Sequence, residues 1–123
     1  GSGTRFGNMA SQLKYFLDST ADIWSSNQLE GKPASVFCSS SSMHGGQEST
    51  LLSMMIPLLH HGMVITGVPY SVGELGVTRT GGSPYGPSHV TGAGKTFFEL
   101  SRDEITIARK AGEIIARLAL NLS

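Results

Sequence analysis

No net charge, no cysteine pair and no long apolar run are found in this 123-residue sequence, and each absence excludes a class of function. Nine basic residues balance nine acidic ones, so the formal charge is zero. A neutral chain has no electrostatic footprint for nucleic acid or for an anionic membrane surface. The lone Cys38 rules out an internal disulfide framework, which fits a reducing compartment. No stretch is apolar enough to span a bilayer, and there is no signal-peptide pattern. The expectation is one soluble, cytoplasmic domain, residues 1–123, with a modest core and without nucleic-acid or membrane partners.

Several catalytic signatures are also missing. "GAGKT", residues 92–96, ends like a phosphate-cradling loop, but His89 stands where the first glycine belongs, and neither strand nor helix flanks it as required. It reads as a loop. "GSGTRF" starts like a dinucleotide fingerprint and fails at Phe6. No GxSxG elbow is present. Cys38, His44, His60 and His61 match no standard zinc spacing, so no metal is expected. Cys38 reads as a small buried hydrophobe, and Met54 and Met55 as core.

What the chain does contain is alternation. Met9, Leu13, Phe16 and Leu17 form a helical stripe with Asn8 as its N-cap. Trp24 follows in a polar, loop-like stretch. Residues 34–38 read as a strand buried on both faces, since they do not alternate. A second helix begins near Gly46 or Gln47, with Leu51, Leu52, Met55, Ile56, Leu58 and Leu59 on a wide apolar face. Pro57 falls inside it, and Gly62 reads as its C-cap, with His61 at the helix end. Residues 63–68 give a second buried strand. Residues 70–96 hold seven glycines and two prolines and read as a long functional connection. A capping box, Ser101 to Glu104, then opens a helix striped by Ile105, Ala108, Ala111, Ile115, Leu118 and Leu122. The order predicts an α/β fold, a parallel sheet of two strands with three helices on its faces.

The most informative stretch is "SSSSMHGG", which leaves a buried strand and enters a helix. In open parallel sheets ligands bind beyond the carboxyl ends of the strands. Glycines let backbone amides approach a flat or anionic ligand, serines add short donors, and the helix N-terminus adds partial positive charge. "GTRFGN", residues 3–8, repeats the arrangement with an arginine and an aromatic ring. Two such mouths on neighbouring strands would clasp a polar, planar ligand.

"TRFGNMASQLKYFLD", "GKPASVF", "HGGQE", "LLHHGMVI", "GGSPYG" and the final "E…IAR…G" together resemble the tryptophan-repressor-binding-protein family, flavodoxin-like NAD(P)H:quinone oxidoreductases that carry FMN. The resemblance runs from residue 3 or 4 to the end, with Gly3 where the family usually has proline. It implies a flavodoxin-like doubly wound parallel sheet, of which this chain holds the C-terminal portion, the N-terminal half with the phosphate loop being absent. It implies that Thr4, Arg5 and Phe6 border the flavin ring, and that Ser39, Ser40, Ser41, Ser42, Met43, His44 and Gly45 form the second flavin loop. His60 matches a histidine near the flavin pocket, and Trp24 an aromatic on the substrate side. The family is tetrameric, and some pocket residues, Trp24 among them, come from a neighbouring subunit.

The activity so implied is two-electron reduction of a quinone at the expense of NAD(P)H, through FMN. The protein would place and tune the cofactor, with Phe6, Trp24 and His60 as stacking walls and Arg5 near the pyrimidine edge. The rival expectation is a non-catalytic binding or assembly module that lacks the phosphate loop and does not hold FMN. Two strands with three amphipathic helices also leave apolar faces that favour association.

Overall fold

The computed structural model describes residues 1–122. Its spine is an extended segment, residues 33–40, containing strands β2 (Pro33–Ala34) and β3 (Cys38–Ser40). Backbone groups of an extended chain point alternately to its two edges. On one edge the Phe37 and Ser39 carbonyls accept from the amides of Ser2 and Thr4, at 3.2 and 2.7 Å, pairing β1 (Ser2–Gly3) parallel to β3. Even-numbered residues serve the other edge. There the Lys32 and Ala34 carbonyls accept from Val64 and Thr66, the Cys38 amide donates to Pro87, and the Ser40 carbonyl accepts from Thr91.

Strands β4 (Val64–Ile65) and β5 (Ser88–Val90) therefore share that second edge, β4 beside β2 and β5 beside β3, both parallel to it. One position in the sheet is filled by two pieces of chain, with residues 66–87 looping out between them. The three-stranded order is β1-β3-β5. The sheet is thus richer than the two strands expected. Ser2–Gly3 is too short to show a pattern, and Ser88–Val90 lies hidden among glycines. The predicted strand over 34–38 is also interrupted, because residues 35–37 leave regular pairing and Phe37 is exposed.

Helix α1 (Ser11–Asp18) is capped at Ala10, not at Asn8. Asn8 is engaged elsewhere: its backbone pairs with Arg5, and its side-chain carbonyl accepts from the Met9 amide at 2.8 Å. The expected loop around Trp24 contains a short helix, α2 (Ala21–Ser25). Helix α3 (Gln47–His60) runs through Pro57 and ends in a Schellman motif, with Gly62 at φ +74°. The Gly62 amide donates to Leu59 O and that of Met63 to Leu58 O, which satisfies two of the last carbonyls.

Met9, Val36, Cys38, Leu51 and Met54 form one core, with Leu13, Leu17, Met55 and Leu58 packed at its margin. Leu51 is fully buried, a contribution of about 1.5–3 kcal/mol. The buried face of α3 differs from the expected one. Gln47, Thr50, Leu51 and Met54 point inward, whereas Leu52, Ile56 and Leu59 are exposed. Helix α4 (Arg102–Leu122) builds a second core from Ile107 and Ala111 with Val68 and Val72. Its capping box is formed in full: the Ser101 amide donates to Glu104 Oε2 at 2.8 Å, and the Glu104 amide to Ser101 Oγ at 3.1 Å. Toward its end the predicted stripe runs out of partners, and Leu122 is exposed.

The "GAGKT" loop contains a hairpin, β6 (Gly92–Ala93) and β7 (Thr96–Phe97), turning at Gly94-Lys95 with Gly94 at φ +64°. Among the described residues no helix is long and apolar enough to cross a membrane. No three of His, Cys, Asp or Glu gather there as metal ligands.

Candidate functional site

Strands β1 and β3 are adjacent and parallel, so the loops beyond their carboxyl ends emerge side by side. After β1 the chain turns at once. Arg5 N donates to Asn8 O at 2.8 Å and Asn8 N to Arg5 O at 3.0 Å, closing a two-residue turn over Phe6 and Gly7. Both central residues have positive φ, 48° and 74°. Gly7 accepts this freely, whereas Phe6 does so at a cost of about 1–2 kcal/mol. The ring of Phe6 is wholly exposed at the tip. An aromatic held in a disfavoured conformation and fully in water is poorly accounted for by stability.

After β3, residues 41–45 form a tight loop of exposed small and polar side chains, closed by Gly45 N donating to Ser42 O at 3.1 Å. Gly46, at φ +90°, then starts α3. A Cβ there would lie 2.7 Å from the Cα of Gly7, so only glycine lets the two mouths approach this closely. Side chains from α3 fasten the contact: Ser49 Oγ donates to Gly7 O at 2.7 Å, and the buried Thr50 hydroxyl to Thr4 Oγ1 at 3.1 Å. No side chain caps α3. Among the described residues the amides of Met43, His44 and Gly46 make no hydrogen bond, and those of Gln47 to Ser49 are first-turn donors with no intrahelical carbonyl in reach.

Thr4, Arg5 and Phe6 thus stand beside Ser41, Ser42, Met43, His44 and Gly45, as the sequence indicated. Ser39 and Ser40 lie within β3 itself. The Ser40 side chain is buried and committed to internal hydrogen bonds. Arg5 is exposed, with Nη1 donating to the Thr4 carbonyl at 3.2 Å. Within one chain His60 and Trp24 do not join this mouth. They lie at the opposite end of α3, about 20 Å away by the helical rise. There Trp24 Nε1 donates to the His60 carbonyl at 2.8 Å. His61 Nε2 is 2.8 Å from Thr20 Oγ1, whose proton goes to the Leu17 carbonyl, so His61 is the donor and carries its proton on Nε2.

The sequence reading missed one wall of the site. Met43, His44 and the first turn of α3 border a cavity of about 530 Å³, closed on its far side by Thr78, Thr80, Gly82 and Ser83 from the long excursion. Glu104, almost fully buried, holds that wall. Oε1 accepts from the amides of Gly81 and Val90 at 2.9 and 3.1 Å, and Oε2 from Ser101 N and His89 Nδ1 at 2.8 and 3.1 Å. Burial alone would push this carboxyl's pKa up, yet the hydrogen bonds from Ser101, Val90, Gly81 and His89 outweigh it and hold the pKa low. At the start of β3, burial pushes the Cys38 thiol up to about 11, against a smaller opposing effect of the Thr4 hydroxyl. A thiol kept protonated at neutral pH is no nucleophile.

Unspent amides, a helix start and a glycine cradle that any Cβ would fill suit the acceptor-rich edge of a planar ring, and the flavin of the resembled family has such an edge. The comparisons with known proteins bear on family and fold. Residues 1–75 match the family described as NADPH-dependent FMN reductase. The chain is 46% identical over 125 residues to an NAD(P)H dehydrogenase (quinone) of Sinorhizobium fredii, covering all of this chain and 62% of that protein. A protein of the same name in Syntrophobacter fumaroxidans is 51% identical over 126 residues, at 100% and 61% coverage. The crystal structure of a flavodoxin, WrbA-like protein from Agrobacterium tumefaciens superposes with a TM-score of 0.72 at 23% identity, covering all of this chain and 65% of that one. The fold is therefore flavodoxin-like, and the chain spans about three fifths of the length of these relatives.

Proposed function

From the premise that the chain belongs to the NADPH-dependent FMN reductase family, we propose that it serves an FMN-dependent NAD(P)H:quinone oxidoreductase, working in the cytoplasm as a homotetramer. The observation that carries this reading is the approach of Gly46 to Gly7, which sets two ligand mouths side by side at adjacent strand ends. The names of the relatives at 46% and 51% identity support the same substrate class.

When bound, FMN supplies two-electron chemistry that links a nicotinamide donor to a quinone acceptor. The residues of this chain do the holding. The amides of Met43, His44 and Gly46 donate to the ring edge, and the first-turn amides of α3 add partial positive charge there. Arg5, free to swing from the Thr4 carbonyl, brings a full positive charge to the same edge. Phe6 offers a flat apolar wall that excludes water and accepts a stacked ring. Trp24 and His60 reach a flavin only across a subunit contact. The exposed Ile56 and Leu59 on that end of α3 are apolar surface such a contact would cover.

The test is to titrate FMN into the purified chain, following flavin fluorescence, and then to assay benzoquinone reduction with NADH and NADPH. Saturable binding, weakened about tenfold or more by Arg5→Ala, is the expected result. A chain that takes up no FMN would favour the rival reading, a non-catalytic assembly module.

A further inference from the structure

We infer that Gln47 is a positioning residue for the flavin loop, fixing its shape through a buried chain of hydrogen bonds that ends in the glycine-rich wall on the far side of the cavity. The inference rests on the flavin reading above and assigns to Gln47 a role that cofactor contact does not require.

The assignment follows from counting protons. The Ser40 hydroxyl has one, and spends it on the Ser42 carbonyl at 2.7 Å. Ser42 O is also the acceptor that closes the loop, taking the Gly45 amide at 3.1 Å. Toward Gln47, 2.9 Å away, Ser40 Oγ can then only accept, so the atom facing it is the amide nitrogen. The His89 carbonyl, 3.2 Å from the same nitrogen, is an acceptor with no choice of role and fixes the amide independently. Gln47 Oε1 is thereby turned toward Ser88, whose hydroxyl donates to it at 2.7 Å. With its proton spent, Ser88 Oγ accepts from the Gly82 amide at 2.7 Å. Every hydrogen in the series has one consistent direction, from Gly82 N–H through Ser88, Gln47 and Ser40. Gln47, Ser88 and Ser40 are all buried, so water cannot replace a missing member. Loop 41–45 and cavity-wall residue Gly82 are in this way set by one carboxamide.

The discriminating substitution is Gln47→Glu, which keeps the shape and removes the two donors. An ionised carboxylate there would face the His89 carbonyl and a hydroxyl oxygen already committed, and burial among acceptors raises its pKa. Protonation gives back one donor. A Gln47→Leu variant restores nothing at any pH. FMN affinity is measured for the wild type and both variants between pH 5.5 and 8.5. The ratio to wild type is the quantity read, because the ionisable side chains of His44, Glu48, His89 and Glu104 border the same region in all three proteins. Amide hydrogen exchange at Gly45 and Gly82 is followed without FMN at a single alkaline pH.

The expected result is an affinity loss of about tenfold or more for Gln47→Glu at pH 8.5, recovering to within about threefold at pH 5.5, and a pH-independent loss for Gln47→Leu. Exchange at both Gly45 and Gly82 should quicken together in Gln47→Glu. A Gln47→Glu ratio that does not change with pH, or exchange unaltered at either glycine, overturns the inference while leaving flavin binding intact. Should the wild type itself bind no FMN, the flavin reading falls, and the exchange data alone still decide whether Gln47 sets the loop.

Discussion

The two ends of α3 are built to opposite rules. At its start no side chain caps the helix, the entering residue is a left-handed glycine, and backbone amides remain unspent. At its end the Schellman motif consumes the free backbone groups, and Trp24 Nε1, Thr20 Oγ1 and His61 Nε2 are paired within the chain. A helix terminus left unsatisfied is costly unless something else meets it. The start is thus poised for a ligand, and the end is closed chemically while remaining apolar outside, a surface suited to another protein chain.

That contrast can be broken most severely at Gly46. Gly46→Ala forces a left-handed backbone on a residue whose Cβ meets Gly7, so unfolding free energy should fall by about 3 kcal/mol in urea titrations, with FMN uptake lost. At the other end Thr20→Val removes the partner of His61 Nε2, while Nδ1 of the same ring has no partner among the described residues. Stability should drop by about 1.5 kcal/mol with flavin affinity kept within about twofold. Cys38 sharpens the comparison by pH. Its thiol lies 3.5 Å from the Gln47 carbonyl, under the open end. With its folded pKa raised to about 11, the unfolded chain ionises first as pH rises. Stability should therefore decline above about pH 9, by roughly 1 kcal/mol at pH 10, and Cys38→Ala should flatten that decline. The smallest effect is expected from Trp24→Phe, which loses one exposed hydrogen bond, about 0.5 kcal/mol by thermal melting. Its use lies in sedimentation: if Trp24 borders a subunit contact, association weakens although the fold does not.

Elements with strong local chemistry were legible in the sequence. The Ser101–Glu104 box and the Gly62 cap formed as read, because each depends on residues within one turn of itself. The adjacency of Thr4, Arg5 and Phe6 to the serine loop was read from the likeness of the two mouths and from the family resemblance, and the pairing of β1 with β3 supplies its cause. Strands β1 and β5 did not show, since two or three residues of serine, glycine and histidine carry no periodicity and are ordered by pairing with β3 alone. The inward face of α3 was misjudged for a related reason. Gln47 and Thr50 are buried as partners of Ser40, Ser88 and Thr4, and polar residues count as outward in any hydrophobic pattern. Glu104 was seen as a cap, while its hold on Gly81 and Val90 depends on tertiary contacts that no local spacing reports.

The excursion that interrupts the sheet edge has both feet pinned. The Val68 amide donates to the Pro84 carbonyl at 3.0 Å, so the chain leaves and re-enters the body at nearly one point. Closing a loop costs only about 0.6 kcal/mol for each doubling of its length. The outer part of the excursion, residues 76–80, can therefore be lengthened or exchanged with little penalty to the sheet below, whereas Val72 in the second core and Gly81 and Gly82, held by Glu104 and Ser88, cannot. Because Thr78 and Thr80 stand on that stretch and wall the cavity, one side of it can be reshaped while Gly82 stays tied to Ser88 and Gln47.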